Sequence, residues 1–266
     1  MNNVNKTLYI PLYGKAFVSK NGVILKDKKA EEIWKKEGFQ VKGKSKSKWL
    51  AYYMGMRSRV FDCWLETKTN EYPDAIIIHL GCGLDSRVER VGTKGHFWYD
   101  IDFPDVIEER HRYYNETNEY HMIASDVRDS HWLNMIQKNR TAIVVMEGIS
   151  MYLSFSELES LFTMIQSHFK QVFMLMDCYT VFGANISKYK NPINDVGVTT
   201  VYGLDSPKQL EATTKMKFIK EHEMTPDILI NELQGIERSI FKKLYGGTFS
   251  KKIYRLYEYK SLSGGE

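Results

Sequence analysis

Four acids each close a run of apolar residues along this chain: Asp102, Asp126, Glu147 and Asp177. Ahead of them Gly81-Cys82-Gly83 closes another such run, Ala75 to Leu80. Glycines let a main chain approach a ligand closely because no Cβ stands in the way. Carboxylates accept hydrogen bonds from hydroxyls and amines. A buried strand, a glycine turn, a helix and a second strand ending in an acid about 20 residues later make half of a nucleotide-binding α/β unit. Here the second strand is His96 to Ile101, closed by Asp102. Strand alternation sends Asp100 and Asp102 to the same face, so spacing alone does not choose between them. Asp102 lies nearer the carboxyl end and is preferred as the acceptor for ribose hydroxyls. Asp126 fits a contact to an adenine amino group, with Val127 packing on the ring.

The glycine spacing also bears on which nucleotide is held. A dinucleotide site uses G-x-G-x-x-G, its third glycine allowing close helix packing under a pyrophosphate. Ser86 stands at that third position, with Asp85 beside it. An acid there would repel a pyrophosphate and suits a cationic or zwitterionic ligand such as S-adenosylmethionine. An NAD-dependent enzyme is therefore the weaker alternative. A protein that binds S-adenosylmethionine without catalysing transfer is another.

Alternating strands and helices must position these groups, the pattern of a mostly parallel sheet. Strands are expected at Ala75 to Leu80, His96 to Ile101, Tyr120 to Ala124, Ala142 to Met146 and Val172 to Met176. Pro104 opens a helix where its missing N–H costs nothing. Ser154 and Glu157 form a capping box for another. Further helices are expected at Asp27 to Lys36, at about Trp49 to Glu66 (burying Leu50, Met54, Val60, Phe61 and Trp64), and at Pro226 to Leu244. Strands at Phe218 to His222 and Ile253 to Tyr259 complete a seven-stranded Rossmann-like α/β sheet, mostly parallel with the last strand antiparallel. Residues 1–48 read as a helical N-terminal cap, with a polar loop at Lys42 to Lys48. Residues 49–266 read as the sheet domain, with 178–203 an irregular segment covering the site; cap and domain form one compact unit.

Composition narrows the function. Hydrophobic residues make up 43% and charged residues 26% of the chain, as in ordinary globular proteins. The net charge of +4 and the lack of a basic face studded with aromatics argue against nucleic acid. Three cysteines without ligand spacing suggest neither a disulfide framework nor a metal site. No apolar run long enough to span a membrane and no signal peptide is visible, so a cytoplasmic protein is expected.

Gly81-Cys-Gly-Leu-Asp-Ser-Arg87, Tyr99-Asp-Ile-Asp-Phe-Pro104 and Glu147-Gly-Ile-Ser-Met-Tyr-Leu153 together resemble the leucine carboxyl methyltransferase family. Thr7 to Ala16 and Arg57 to Asp62 are similar to its bacterial branch, associated with polyketide O-methylation. The resemblance runs from about Thr7 to Tyr259. It implies an S-adenosylmethionine-dependent O-methyltransferase, whose product is S-adenosylhomocysteine. By the resemblance, Gly81 and Gly83 hold the methionine part, with Cys82 where an alanine is usual and Asp85 and Arg87 in the same motif. Asp102 takes the ribose, Asp126 and Val127 border the adenine, and Glu147 with Gly148 lies under the methionyl end. Arg59 pairs with the cofactor carboxylate, and the N-terminal basic residue falls on or near Lys15.

No catalytic base is evident. His79, mid-strand, reads as a satisfied core histidine, and His222 lies far in topology from the cofactor. Tyr152, just past the fourth strand, is a candidate for the acceptor site, although plain packing explains it equally well. The expected acceptor is a carboxylate or phenolic oxygen, on a small molecule or as an exposed carboxylate.

Overall fold

The computed structural model describes residues 8–37, 46–190 and 201–261. Seven strands form one sheet: β1 (Ile76–Leu80), β2 (Trp98–Asp102), β3 (Tyr120–Ala124), β4 (Thr141–Met146), β5 (Gln171–Tyr179), β6 (Met216–Glu221) and β7 (Tyr254–Ser261). Their order is β3-β2-β1-β4-β5-β7-β6. The first five strands pair in parallel, and β7 runs antiparallel between β5 and β6. β1 is buried at every position, as a strand with covered faces should be. Alternation splits its side chains between two cores, Ile77 facing one and Ile76, Ile78 and Leu80 the other.

Helices α1 (Tyr9–Lys20), α2 (Lys28–Glu37) and α3 (Lys48–Glu71) precede the sheet. Asp27 accepts a hydrogen bond from the Ala30 amide at the start of α2. α4 (Arg87–Val91) follows the glycine turn, α5 (Pro104–Arg110) follows β2, and α6 (Phe155–His168) follows β4. The Ser154–Glu157 capping box is formed, and Pro104 stands in the first turn of α5. α7 (Val181–Lys190) and α8 (Lys208–Thr213) lie between β5 and β6, and α9 (Asp227–Ile230), α10 (Gly235–Tyr245) and α11 (Thr248–Lys251) between β6 and β7.

Several expectations shift. β5 runs past Met176 to Tyr179 because β7 keeps pairing with it, from Phe173 opposite Lys260 to Tyr179 opposite Tyr254. Asp177 therefore sits inside the strand rather than at its end. The segment expected to be irregular from 178 is strand to Tyr179 and then α7, while residues 191–200 lie outside the described residues. So does most of the Lys42 to Lys48 loop. Pro226 to Leu244 is broken, with α9 ending at Ile230 and α10 starting at Gly235, whose φ of +54° favours glycine.

α3 is longer than expected, and of its expected buried side Phe61 and Trp64 are buried. It buries Met56, Phe61 and Leu65, but also Arg57, Ser58 and Asp62, while Leu50, Met54 and Val60 are only partly buried. An apolar periodicity cannot find a face whose buried members include charges. No helix among the described residues is long and apolar enough to cross a membrane.

Candidate cofactor site

A cavity of about 310 Å³ opens at the carboxyl ends of β1 to β4, where ligands bind in open α/β sheets. Gly81 (φ +64°) and Gly83 (φ +52°) turn the chain there in the left-handed region. A Cβ on Gly81 would stand 2.0 Å from Ile149 Cγ2, whereas one on Gly83 would meet nothing nearer than Leu8 Cβ at 3.6 Å. The first glycine thus admits the loop after β4, and the second leaves backbone open toward the cavity. Phe103, Val106, Val127, Ile149 and Leu153 give an apolar wall, and Tyr152 lines the cavity beside them. α1 adds Leu8, Pro11, Leu12 and Lys15.

Asp102 and Asp100 part company here. Asp102 lines the cavity; its Oδ2 accepts from the Gly83 amide at 2.7 Å and its Oδ1 from the Phe103 amide at 2.8 Å. Burial raises its carboxyl to about 6 despite these two amides. Asp100 turns inward, fully buried, to Arg110, Trp98 Nε1 at 2.8 Å and the Tyr120 hydroxyl at 2.7 Å. Burial opposes its ionisation, but the Arg110 guanidinium and its hydrogen bonds hold its carboxyl at about 2.

Behind the glycine turn lies a buried lattice of alternating charge. Lys15 Nζ is 3.0 Å from Asp85, which also meets Arg87 at 3.0 Å and Arg90 at 2.8 Å. Arg87 reaches Asp62 at 2.7 Å and also Glu147. Glu147 takes Arg57 Nε at 3.0 Å and the Ser58 hydroxyl at 2.9 Å. Arg57 Nη1 goes on to Asp177 Oδ2 at 3.0 Å, and Asp177 Oδ1 accepts from the Gly148 amide at 2.7 Å. A buried charge costs several kcal/mol unless paired, so each member depends on its neighbours. Burial works against Glu147, yet Arg57 and Arg87 hold its carboxyl at about 2. Asp177 moves the other way: burial raises it, and Arg57 does not overcome that.

Most of the residues named from the sequence meet in this cavity: Lys15, Gly81, Cys82, Gly83, Asp85, Asp102, Asp126, Val127, Glu147, Gly148 and Tyr152. Two do not. Arg59 lines a separate groove on another side of α3, with Cys63 and Thr67; residues two apart on a helix point in different directions. Arg57 is the arginine of α3 that lines the cavity. Arg87 is fully buried beneath the turn, where Asp62, Asp85 and Glu147 hold it, and does not line the cavity. Asp85 also differs from what the sequence suggests. Three cations already surround that carboxylate, which they hold well below the usual range against the effect of burial, so it is not an exposed negative group that selects a cationic ligand. Asp126 lines the cavity with its carboxylate forked by Arg128 at 2.9 and 3.0 Å. His79 is buried as expected but not fully satisfied. Asp100 Oδ1 lies 3.3 Å from its Nδ1 without hydrogen-bond alignment.

Sequence reasoning missed Arg57, Phe103, Val106, Arg128 and Ile149 as lining residues. The signal for Arg57 was present: it stands four residues before Phe61 and eight before Leu65, on the face that proves to be buried.

The donor set fits an adenosine ligand with an amino-acid end. It offers an open glycine backbone, a carboxylate at the end of β2, an apolar slot, and cationic and anionic groups at one side. A strand order of β3-β2-β1-β4-β5-β7-β6 with such a turn defines a Rossmann-like methyltransferase. The comparisons agree. The profile of the family described as leucine carboxyl methyltransferase matches residues 3–166. The chain is 28% identical over 244 residues to the tetracenomycin polyketide synthesis O-methyltransferase TcmP of Streptomyces glaucescens, covering 90% of this chain and 89% of that one. It is 30% identical over 183 residues to the S-adenosyl-L-methionine-dependent methyltransferase dpfgK of Gibberella zeae, covering 63% of this chain and 61% of that one. The fold is shared with the magnesium protoporphyrin IX methyltransferase of Synechocystis PCC 6803, solved with bound SAH, at a TM-score of 0.51 and 10% identity over 93% of this chain and 97% of that one. The chain belongs to the leucine carboxyl methyltransferase family. It is an S-adenosylmethionine-dependent methyltransferase.

Proposed function

We propose that the chain transfers the methyl group to an oxygen of a small molecule, either a phenol or a carboxylate. The supporting observation is that the acids lining the cavity are already engaged. Asp85 and Glu147 are ion-paired, Asp126 is held by Arg128, and Asp102 accepts two main-chain amides. Burial lowers the pKa of the one histidine among the lining residues, His79, making it a poor proton acceptor. Such a site suits an acceptor that ionises with little help: a carboxylate, or a phenol with a pKa of about 10. Similarity to the Streptomyces O-methyltransferase along nearly the whole chain supports the same reading.

When bound, S-adenosylmethionine supplies an electrophilic methyl on its sulfonium; the acceptor oxygen forms the new C–O bond, the S–C bond breaks, and sulfur keeps the pair. The protein's part is to bind, orient and exclude water. In this reading Gly81, Cys82 and Gly83 hold the methionyl part, with Glu147 and Gly148 beneath it. Asp102 takes the ribose hydroxyls, and Asp126 with Val127 borders the adenine. Arg57, in place of Arg59, faces the cofactor carboxylate, with Lys15 and Asp85 beside it. Tyr152 borders the acceptor. Residues 8–37, of which α1 lines the cavity, act as the cap.

The test is methyl transfer from labelled S-adenosylmethionine to aromatic acids and phenols, with the products treated with base. Methyl esters hydrolyse and aryl methyl ethers survive. A carboxylate acceptor is expected to give a rate nearly flat between about pH 6 and 9, whereas a phenol gives one that climbs until it ionises. Methylation of RNA or DNA, with none of small acids or phenols, overturns the proposal.

A second pH effect follows from Asp102. With a folded pKa of about 6, above its ordinary value of about 3.9, the stability this group contributes is present below about pH 4 and lost as pH rises through about 6. Cofactor binding runs the other way, since ribose hydroxyls need the carboxylate. Affinity for S-adenosylhomocysteine is expected to be flat above about pH 7 and to fall up to tenfold per pH unit below about 6. Calorimetric titrations across that range check it; no pH dependence in the wild type removes Asp102 as the ribose ligand.

A further inference from the structure

The main chain of Gly83 is held at both of its polar groups. Its amide donates to Asp102 Oδ2 at 2.7 Å, and its carbonyl accepts from Arg110 Nη1 at 3.0 Å. The next carbonyl, that of Leu84, accepts from the Tyr114 hydroxyl at 3.2 Å. Arg110 is the last residue of α5 and is fully buried. Three groups fix it from the side away from the turn. Nη2 meets the Asp100 carboxylate, Nε donates to the Tyr120 hydroxyl at 3.0 Å, and the guanidinium lies 4.1 Å from the centre of the Tyr114 ring. Tyr120 in turn donates to Asp100 at 2.7 Å. That leaves the Nη1 edge of the guanidinium for the glycine turn.

A buried ion pair adds little stability over well-packed apolar residues, so stability alone does not account for Arg110 and Asp100 in the core. Glycine backbone has the most freedom to lose on ordering, and a site already ordered before its ligand arrives does not bear that cost on binding. We propose that Arg110 is a positioning residue for the cofactor: held by Asp100, Tyr120 and Tyr114, it fixes the Gly83 carbonyl and so sets the glycine turn for the methionyl part before binding. Arg110 and Tyr114 do not line the cavity, so both act through the turn. The planar guanidinium suits this task because its donors lie in a rigid fork, one edge on Asp100 and another on Gly83. The inference rests on the placement of the methionyl part at this turn.

The test titrates S-adenosylhomocysteine into Arg110→Lys, Tyr114→Phe, Gly83→Ala and a control, Phe241→Leu. Arg110→Lys keeps a charge opposite Asp100 but loses the fork that also reaches Gly83. Its dissociation constant is expected to rise about tenfold, and that of Tyr114→Phe, which keeps the ring against the guanidinium, about threefold. In turnover, KM for S-adenosylmethionine rises in Arg110→Lys while kcat at saturating cofactor stays within about twofold of wild type. Phe241 lies in a separate core cluster with Val18 and Met56, so Phe241→Leu is expected to lower stability and leave affinity intact. Wild-type affinity in a folded Arg110→Lys overturns the proposal. An equal loss of affinity in Phe241→Leu also overturns it, since the effect is then one of stability. If Arg110→Lys does not fold, Tyr114→Phe decides in the same way. Gly83→Ala strains a φ of +52° and puts a methyl group at the cavity, and is expected to remove binding. Tight binding by Gly83→Ala overturns the placement of the methionyl part and this inference with it, whereas a loss in Gly83→Ala alone overturns only the role of Arg110.

Discussion

Arg57→Ala is expected to unfold the protein at markedly lower denaturant than wild type and to remove measurable cofactor binding. The substitution takes one of two arginines from buried Glu147, which keeps Arg87, and takes from buried Asp177 the guanidinium that pairs with it. Breaking a buried pair from one side costs about 3–5 kcal/mol, because the remaining charge stays buried and uncompensated. Arg59→Ala, on the groove side of α3, is expected to change stability by no more than about 0.5 kcal/mol and to leave cofactor affinity intact. Denaturant midpoints and titration with S-adenosylhomocysteine on both variants give the comparison. Equal behaviour of the two would remove Arg57 from the site. Because Arg57→Ala loses stability as well, Arg57→Lys is the finer probe. It keeps a charge but loses the fork between Glu147 and Asp177, and should bind cofactor weakly while remaining folded.

The second large effect separates two acids on one strand face. Asp100→Ala strands Arg110 in the core, where Asp100 is its carboxylate partner, and is expected to cost about 3–5 kcal/mol of stability. Asp102→Ala is expected to cost less stability, since burial already disfavours that charge, but to weaken cofactor binding by about 2–3 kcal/mol, the scale of hydrogen bonds to a charged acceptor. A stability loss for Asp102→Ala equal to that of Asp100→Ala, with unchanged affinity, would assign Asp102 to structure alone.

Much of the fold was legible because its signals are local. The apolar run of β4, the capping box at Ser154 and Pro104 at the head of α5 each act within a few residues, and each is found where the spacing puts it. The glycine turn and Asp102 were legible for the same reason. What escaped depends on contacts distant in sequence. β5 is extended by β7, roughly eighty residues later. The buried face of α3 contains Arg57 and Asp62, and only the acids and arginines of β4, β5 and α4 make that burial tolerable. Hydrophobic periodicity therefore found Phe61 and Trp64 but not the charged members of the face, and the arginine named from the family resemblance, Arg59, lies off the cavity that Arg57 lines. The meaning of Asp85 reversed similarly once Lys15, Arg87 and Arg90 were found around it.

The central claim is that the cavity at Gly81, Gly83 and Asp102 is an S-adenosylmethionine site. Calorimetric titration of the wild-type chain with S-adenosylhomocysteine and, separately, with NAD tests it most directly. The expected result is saturable one-to-one binding of S-adenosylhomocysteine, greatly weakened in Asp102→Ala, with no binding of NAD. Binding of NAD with none of S-adenosylhomocysteine would contradict it.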